Sequence, residues 1–214
     1  TGSAGTIGHG LNAPLQMIVI KQRTNHGTTG QGDGNWIVGH TGVTMGTGRL
    51  ILNGTYSNDV SGAAAHWNST AATSSVFSVG TSGNVNGSNG AQYVAYCFAP
   101  VEGYSAFGSY TGNGSSDGPF VYTGFRPKFI LIKNADIGST GYDWYIYDTE
   151  RDPYNVSDAY LMPNLSTREL SYAAFDLLSN GFKLRQTGAS VNGSGNTHVF
   201  AAFAEHPFKT ARAR

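Results

Sequence analysis

The sequence predicts an all-β protein made of two tandem pseudo-repeats, each a small antiparallel β-sandwich-like unit, packed together. Three observations predict it. A set of landmark residues occurs twice in the same order, the apolar runs are short and rich in β-branched residues, and glycine-rich turns separate them.

The landmarks can be followed by eye. Copy one reads His9-Gly10-Leu11, Pro14, a run LQMIVIK ending at Lys21, and Trp36; copy two reads Thr123-Gly124-Phe125, Pro127, KFILIK ending at Lys133, and Trp144. Leu50 to Asn53 answers Tyr160 to Asn164, Phe77-Ser78-Val79 answers Phe182-Lys183-Leu184, and VNGSNGAQYVAYCFA answers VNGSGNTHVFAAFA. Subtracting positions gives 114 for His9/Thr123, 112 for Lys21/Lys133, 108 for Trp36/Trp144 and 105 for Ala99/Ala204. Loop-sized changes account for that drift. The expected division is repeat one over 1–101, a Gly/Ser-rich connection over 102–120 whose SYTGNGSSDGPF half enters copy two as an edge strand, and repeat two with its tail over 121–214.

Each element has its own signal. Leu15 to Gln22 and Phe129 to Lys133 are apolar on both faces, the mark of a central strand. NWIVGH and DWYIYD supply a second strand, RLILN and AYLMPN a third. Val76 to Val79 and Gly181 to Leu184 follow, and Gln92 to Ala99 and Thr197 to Ala204 close the copies. Asn86-Gly87 and Asn192-Gly193 are read as tight turns needing positive φ, and Asn180-Gly181 as a hairpin. One stretch points the other way. Ser166-Thr167-Arg168-Glu169 before LSYAAFDLL has the form of a capping box opening a short helix.

Composition narrows the function. The 214 residues carry 13 basic and 13 acidic side chains, so the electrostatic footprint of nucleic-acid binding is missing, and Arg212 and Arg214 do not restore it. Charged residues are only 12% of the chain, which leaves solubility to Ser, Thr, Asn and Gly, as on extracellular or virion proteins. No apolar run approaches the ~20 residues of a membrane span. Opening on Thr1 rather than methionine, the chain is expected to be a fragment or a processed product. The single cysteine, Cys97, allows no intrachain disulfide and reads as a small buried hydrophobe.

Catalytic and metal signals are weak. The six histidines, at 9, 26, 40, 66, 198 and 206, show no zinc spacing. Asp148, Glu150 and Asp152 alternate and could offer oxygens to calcium, but Arg151 and Pro153 among them favour a solvated hinge. No phrase selects two carboxylates for glycoside hydrolysis, and there is no G-x-S-x-G elbow. The expectation is a non-enzyme with neither metal nor cofactor.

The phrase YVAYCFAPVEGYSAFGSYTGNGSSDGPFVYTGFRPKFILIK, with WYIYD, RDPYN, LLSNGFKLR and the ending FAEHPFKTARAR, resembles a family of virion proteins of marine and cyanobacterial tailed phages. Its members carry a domain of unknown function and are commonly labelled tail fibre or tail proteins. The resemblance covers nearly the whole chain and implies a structural protein of the virion, a distal fibre or appendage domain that contacts a host-surface glycan or receptor. It carries over no catalytic or ligand residue. The alternatives are a passive structural or decorating module and, behind it, a glycan depolymerase. Other virion proteins and a homo-oligomer, first of all a homotrimer, are the expected partners.

With 12 tyrosines, 11 phenylalanines and 3 tryptophans, the chain has rings to lay against sugars, although most belong in a core. Aromatics shared by both copies, such as Trp36 with Trp144 and Phe98 with Phe203, are explained by that core. Those in one copy are the binding candidates: Trp67 with His66 and Asn68, and the loop bringing Arg151, Asp152, Tyr154 and Asn155.

Overall fold

A computed structural model of the chain describes residues 1–24, 33–88 and 90–206; His26, Arg212 and Arg214 lie outside them. The protein is all-β, with antiparallel strand pairing throughout its sheets; the described residues add three α-helices of only four or five residues and a 3-10 turn, Thr41–Val43. It divides into two compact units, Thr1–Ala99 and Pro100–Arg214.

Unit 1 holds strands β1 (Gly5–Gly8), β2 (Met17–Gln22), β3 (Trp36–His40), β4 (Leu50–Ile51), β5 (Val76–Val79) and β6 (Tyr93–Phe98). Helices α1 (Ala63–Trp67) and α2 (Gly83–Asn86) flank β5. A four-stranded sheet, β4-β3-β2-β6, and a two-stranded sheet, β1-β5, close on one core of Ile18, Ile20, Ile37, Ile51, Trp67, Phe77, Val79 and Val85. Unit 2 holds β7 (Ser105–Thr111), β8 (Phe120–Tyr122), β9 (Pro127–Asn134), β10 (Trp144–Asp148), β11 (Ser157–Leu161), β12 (Leu170–Leu178), β13 (Gly181–Leu184), helix α3 (Ala189–Asn192) and β14 (Thr197–Ala204). Its strands form one sheet in the order β7-β14-β9-β10-β11-β12-β13-β8. The sheet curls on itself, because Phe182 of β13 meets Tyr110 of β7 and Phe200 of β14 edge to face at 6.0 and 5.5 Å.

Register reproduces the landmarks. Lys21 lies opposite Trp36 and Val94, and Lys133 opposite Trp144 and Val199. Ile7 pairs with Phe77 as Val121 pairs with Phe182. The Asn53 side chain accepts from Trp36 N at 2.8 Å and donates to Asn35; Asn164 accepts from Trp144 N at 3.0 Å and donates to Asp143. The Asn86 amide donates to Ser3 O and Gly80 O, and that of Asn192 to Ser115 O and Gln186 O.

Several expectations change. The edge strand within 102–120 starts earlier than the phrase SYTGNGSSDGPF: it is Ser105–Thr111, paired along its whole length with β14. LSYAAFDLL is strand β12, in keeping with the all-β reading and against the capping-box alternative: β11 and β13 satisfy its backbone on both sides, while Phe175 and Leu177, two apart, enter the core. In unit 1 the chain between β4 and β5 forms α1 instead, so the sheet splits in two where unit 2 keeps it whole. Gly87 and Gly193 have φ of −68° and −57° and end α2 and α3, so neither Asn-Gly pair is the expected positive-φ turn. The hairpin at Asn180-Gly181 forms, but its two-residue turn is Ser179-Asn180. Gly181 is needed because a Cβ there would lie 2.1 Å from Val121 O. Of the shared aromatics, Trp144 is fully buried, whereas Trp36, Phe98 and Phe203 are half-buried; Cys97 is half-buried too.

Lys133 is fully buried on β9, where its ammonium donates to Asn134 O at 2.6 Å. Burial pulls its pKa down to about 8. The unfolded chain, titrating near ~10.4, holds more protons than the folded one between these values, so stability rises with pH in that window. From pH 8 to 9.5 the protein should gain up to about 2 kcal/mol, read by hydrogen exchange of β9 and β10 amides. Lys133→Met should abolish that gain.

Candidate functional site

A cleft in unit 1, about 460 Å³ in volume, is lined by Asp33, Asn35, Arg49, Ile51, Tyr56, Ser57, Asp59, His66 and Asn84. Its floor is a polar network built from four places in the chain. Arg49, just before β4, grips Asp59 with Nε and Nη2 at 2.9 and 2.8 Å. The Ser61 hydroxyl donates to the other carboxylate oxygen at 2.6 Å, and Ser61 N and Gly62 N add two more donors. Led by the Ser61 bond and helped by Arg49, these donors hold the Asp59 carboxyl down at about 2 against the opposing effect of burial.

His66, on α1, completes the floor. Arg49 Nη1 approaches its Nε2 at 3.0 Å, and because a guanidinium only donates, Nε2 must be unprotonated. Nδ1 therefore carries the proton and donates to Gly62 O at 2.8 Å, while the Ser82 hydroxyl also reaches Nε2 at 3.1 Å. Burial, with Arg49 beside it, holds the imidazole pKa below its ordinary value, so the ring is neutral. Above the floor, Asp33 is bonded to Asn35 through both carboxylate oxygens. Tyr56 is 61% exposed at the mouth, and Asn84 Oδ1 is buried without a hydrogen-bond partner.

The structure separates the candidate residues. His66 lies in this cleft. Trp67, expected as an exposed anchor, is 2% exposed and donates from Nε1 to Gly48 O at 3.0 Å. Its ring fills the space beside Gly39, where a Cβ would lie 3.1 Å from Cζ2. By register Gly39 corresponds to Tyr147, so Trp67 is alone in its copy because the matching strand position has no side chain. Asn68 is exposed and ends α1 in the left-handed conformation, donating its backbone N–H to Ala64 O.

In unit 2, Arg151 is tied to Asp148 and Glu169, each at 2.9 Å. Asp152 accepts from Asp158 N at 2.6 Å, and Asn155 both donates to Leu177 O and accepts from Leu177 N. These three hold the loop against β11 and β12. Tyr154 is 80% exposed. Glu150 pairs with Lys128, so the three carboxylates that could have held calcium are each engaged separately. Among the described residues no group of His, Cys, Asp and Glu is arranged to hold a metal ion. Sequence reasoning missed Arg49, Asp59 and Tyr56. The run Tyr56 to Ser61, an aromatic followed by Ser-Asn-Asp, was the available signal.

Two outcomes follow. Trp67→Ala should cost unit 1 about 3–5 kcal/mol in urea unfolding, whereas Tyr56→Ala should stay within about 0.5. The lowered pKa of His66 means that the unfolded state takes up the proton first on acidification. The His66 contribution is thus full above ~6.5 and declines below it. His66→Gln should flatten the fall in the unit 1 melting temperature between pH 7 and 5.

No curated protein and no solved structure matches the chain. Residues 1–207 match the model of one family, the Domain of unknown function DUF7483, and the chain belongs to that family.

Proposed function

We propose that the protein is a structural component of a phage virion, a distal tail-fibre or appendage domain, and that the unit 1 cleft contacts a glycan on the host surface. The observation that carries this reading is the cleft itself: an exposed tyrosine at the mouth of a concavity lined by amide, hydroxyl, carboxylate and guanidinium groups. Sugars are held that way, with a ring against C–H groups and fixed polar groups on the hydroxyls. Asp33 and Asp59 outweigh Arg49, so the cleft favours a neutral or cationic ligand over an anionic one.

Binding fits the cleft better than cleavage does. Asp59, ionised down to about 2 and bonded to Ser61 and Arg49, has no proton to give at neutral pH, and a glycosidase needs one carboxyl that does. The phage assignment itself rests on the resemblance of the Tyr93 to Pro127 phrase and its neighbours to virion proteins. On this reading the protein acts outside the cell, on the particle, with other virion proteins and copies of itself as partners.

Fluorescent full-length protein should bind host cells and compete with phage adsorption. Tyr56→Ala should weaken that binding by about tenfold with the fold intact. Undiminished binding by Tyr56→Ala would remove the cleft from the reading. Absence of any cell binding would leave a passive virion module, and shortened host polysaccharide after incubation would instead mark a depolymerase.

A further inference from the structure

Unit 2 carries a cleft of different chemistry at the place that corresponds to the unit 1 cleft. Strand register fixes the correspondence. With Lys21–Trp36 matched to Lys133–Trp144, and Val38–Leu50 to Ile146–Leu161, Arg49 corresponds to Tyr160 and Gly39 to Tyr147. The matching bonds of Asn86 and Asn192 set Gly80 against Gln186 and Asn84 against Ser190. Tyr147, Tyr160, Gln186 and Ser190, with Tyr145 and Tyr172, line a cleft of about 240 Å³.

The lining has no carboxylate, ammonium, guanidinium or imidazole. Burial raises the pKa of Tyr145, Tyr147 and Tyr160, which keeps these phenols neutral. Tyr145 and Tyr147 flank Tyr160 at 5.5 and 5.6 Å, tilted by 59° and 36°. Tyr172 stands 53% exposed at the edge.

Two polar side chains here are more than nine-tenths buried and unused. Tyr147 is 1% exposed and Gln186 6%, yet neither the Tyr147 hydroxyl nor the Gln186 side-chain amide has a hydrogen-bond partner among the described residues. Neither side chain is among those whose polar atoms are sealed off without a partner, so these groups open onto the cleft and stand ready for a group that enters it. In unit 1 the corresponding floor is largely engaged, by Arg49 on Asp59 and His66, with Asn84 Oδ1 left over.

We propose that this tyrosine-lined cleft is a second ligand site, and that it takes one neutral pyranose ring of a saccharide. The lack of charge selects a neutral ligand, and the rings select one with an apolar face. Tyr147 and Gln186 require hydroxyls that both donate and accept. Rings tilted toward one another suit a puckered sugar better than a flat base, which prefers parallel stacking. The volume, below the ~300–1,000 Å³ of larger ligand sites, holds a single ring. This assignment stands apart from the host-surface reading of unit 1, because it concerns sugar binding by the isolated protein.

Saturation-transfer NMR and calorimetry on the full chain test it, with methyl glucoside, galactoside, mannoside and N-acetylglucosaminide, against glucuronate and adenosine. At least one neutral pyranoside should bind saturably, and more tightly than glucuronate or adenosine. Tyr172→Ala, exposed enough to fold, and Gln186→Leu should each weaken binding by about tenfold or more, while Tyr122→Ala, 69% exposed and lining neither cleft, leaves it unchanged; Tyr56→Ala is measured beside them. No saturable binding, a preference for adenosine or glucuronate, or insensitivity to both unit 2 substitutions would overturn the proposal. Loss only in Tyr56→Ala would assign the sugar to unit 1 and overturn it as well.

Discussion

The Asn192 side chain, with no exposed surface, bonds the backbone of Asn113, Ser115 and Gln186, at 3.0, 2.8 and 2.6 Å. It sits in the last position of α3, so one amide joins the helix to the strand-bound segment after β7 and to the exit of β13. Asn86 makes the corresponding bonds to Thr1, Ser3 and Gly80. An amide is the one short side chain that both accepts and donates twice, and losing it from a dry site strands several backbone groups together. This requirement explains why Val-Asn-Gly stands in both copies. The glycine follows from the close fit: at Gly193 a Cβ would lie 2.2 Å from Asn196 Oδ1.

Around that fixed frame the copies differ in what bridges β4 to β5 and β11 to β13. In unit 2 the bridge is β12, a nine-residue strand whose Phe175 packs against Tyr147 at 4.7 Å. In unit 1 the bridge is α1 with its flanking turns, and Trp67 reaches over Gly39 to fill what Tyr147 fills by itself. One ring's worth of volume is conserved, although it arrives from a different element. Cores demand the volume and not its origin.

That exchange also sets the limit of what the sequence discloses. The succession of strands along the chain was legible, because landmarks such as Lys21, Trp36 and Asn53 lie against one another and so keep their spacing in both copies. The bridge was not legible. LSYAAFDLL has apolar residues at spacings that suit either a strand or a helix, and only the two neighbours that satisfy its backbone decide. AAAHW is too short to show a period. Trp67 seemed free to bind because nothing answers it in copy two, yet its true counterpart is an absence, the missing side chain of Gly39. The Arg151 to Asn155 loop lies between β10 and β11, where ion pairs and backbone bonds anchor Arg151, Asp152 and Asn155 although most of the loop is exposed. The unit 1 cleft was half legible, through His66 alone, since Arg49 and Asp59 meet only after β4 and the turn before α1 are folded.

The two clefts therefore occupy the one region where the copies were free to diverge. Every wall that the frame supplies, the ends of β3 and β4 or of β10 and β11 and the short helix behind them, is held by register and by the Asn86 and Asn192 amides. What remains variable is the side chain at each wall position, and there substitution changes chemistry without disturbing the backbone. Arg49 in unit 1 needs Asp59 and His66 for company, because a guanidinium drawn out of water must be paired. Tyr160 in its place needs no counter-charge, which leaves Tyr147 and Gln186 unengaged. Charged for aromatic at that position, with Tyr147 for Gly39, Gln186 for Gly80 and β12 in place of α1, separates a floor of paired charges from an uncharged, open one.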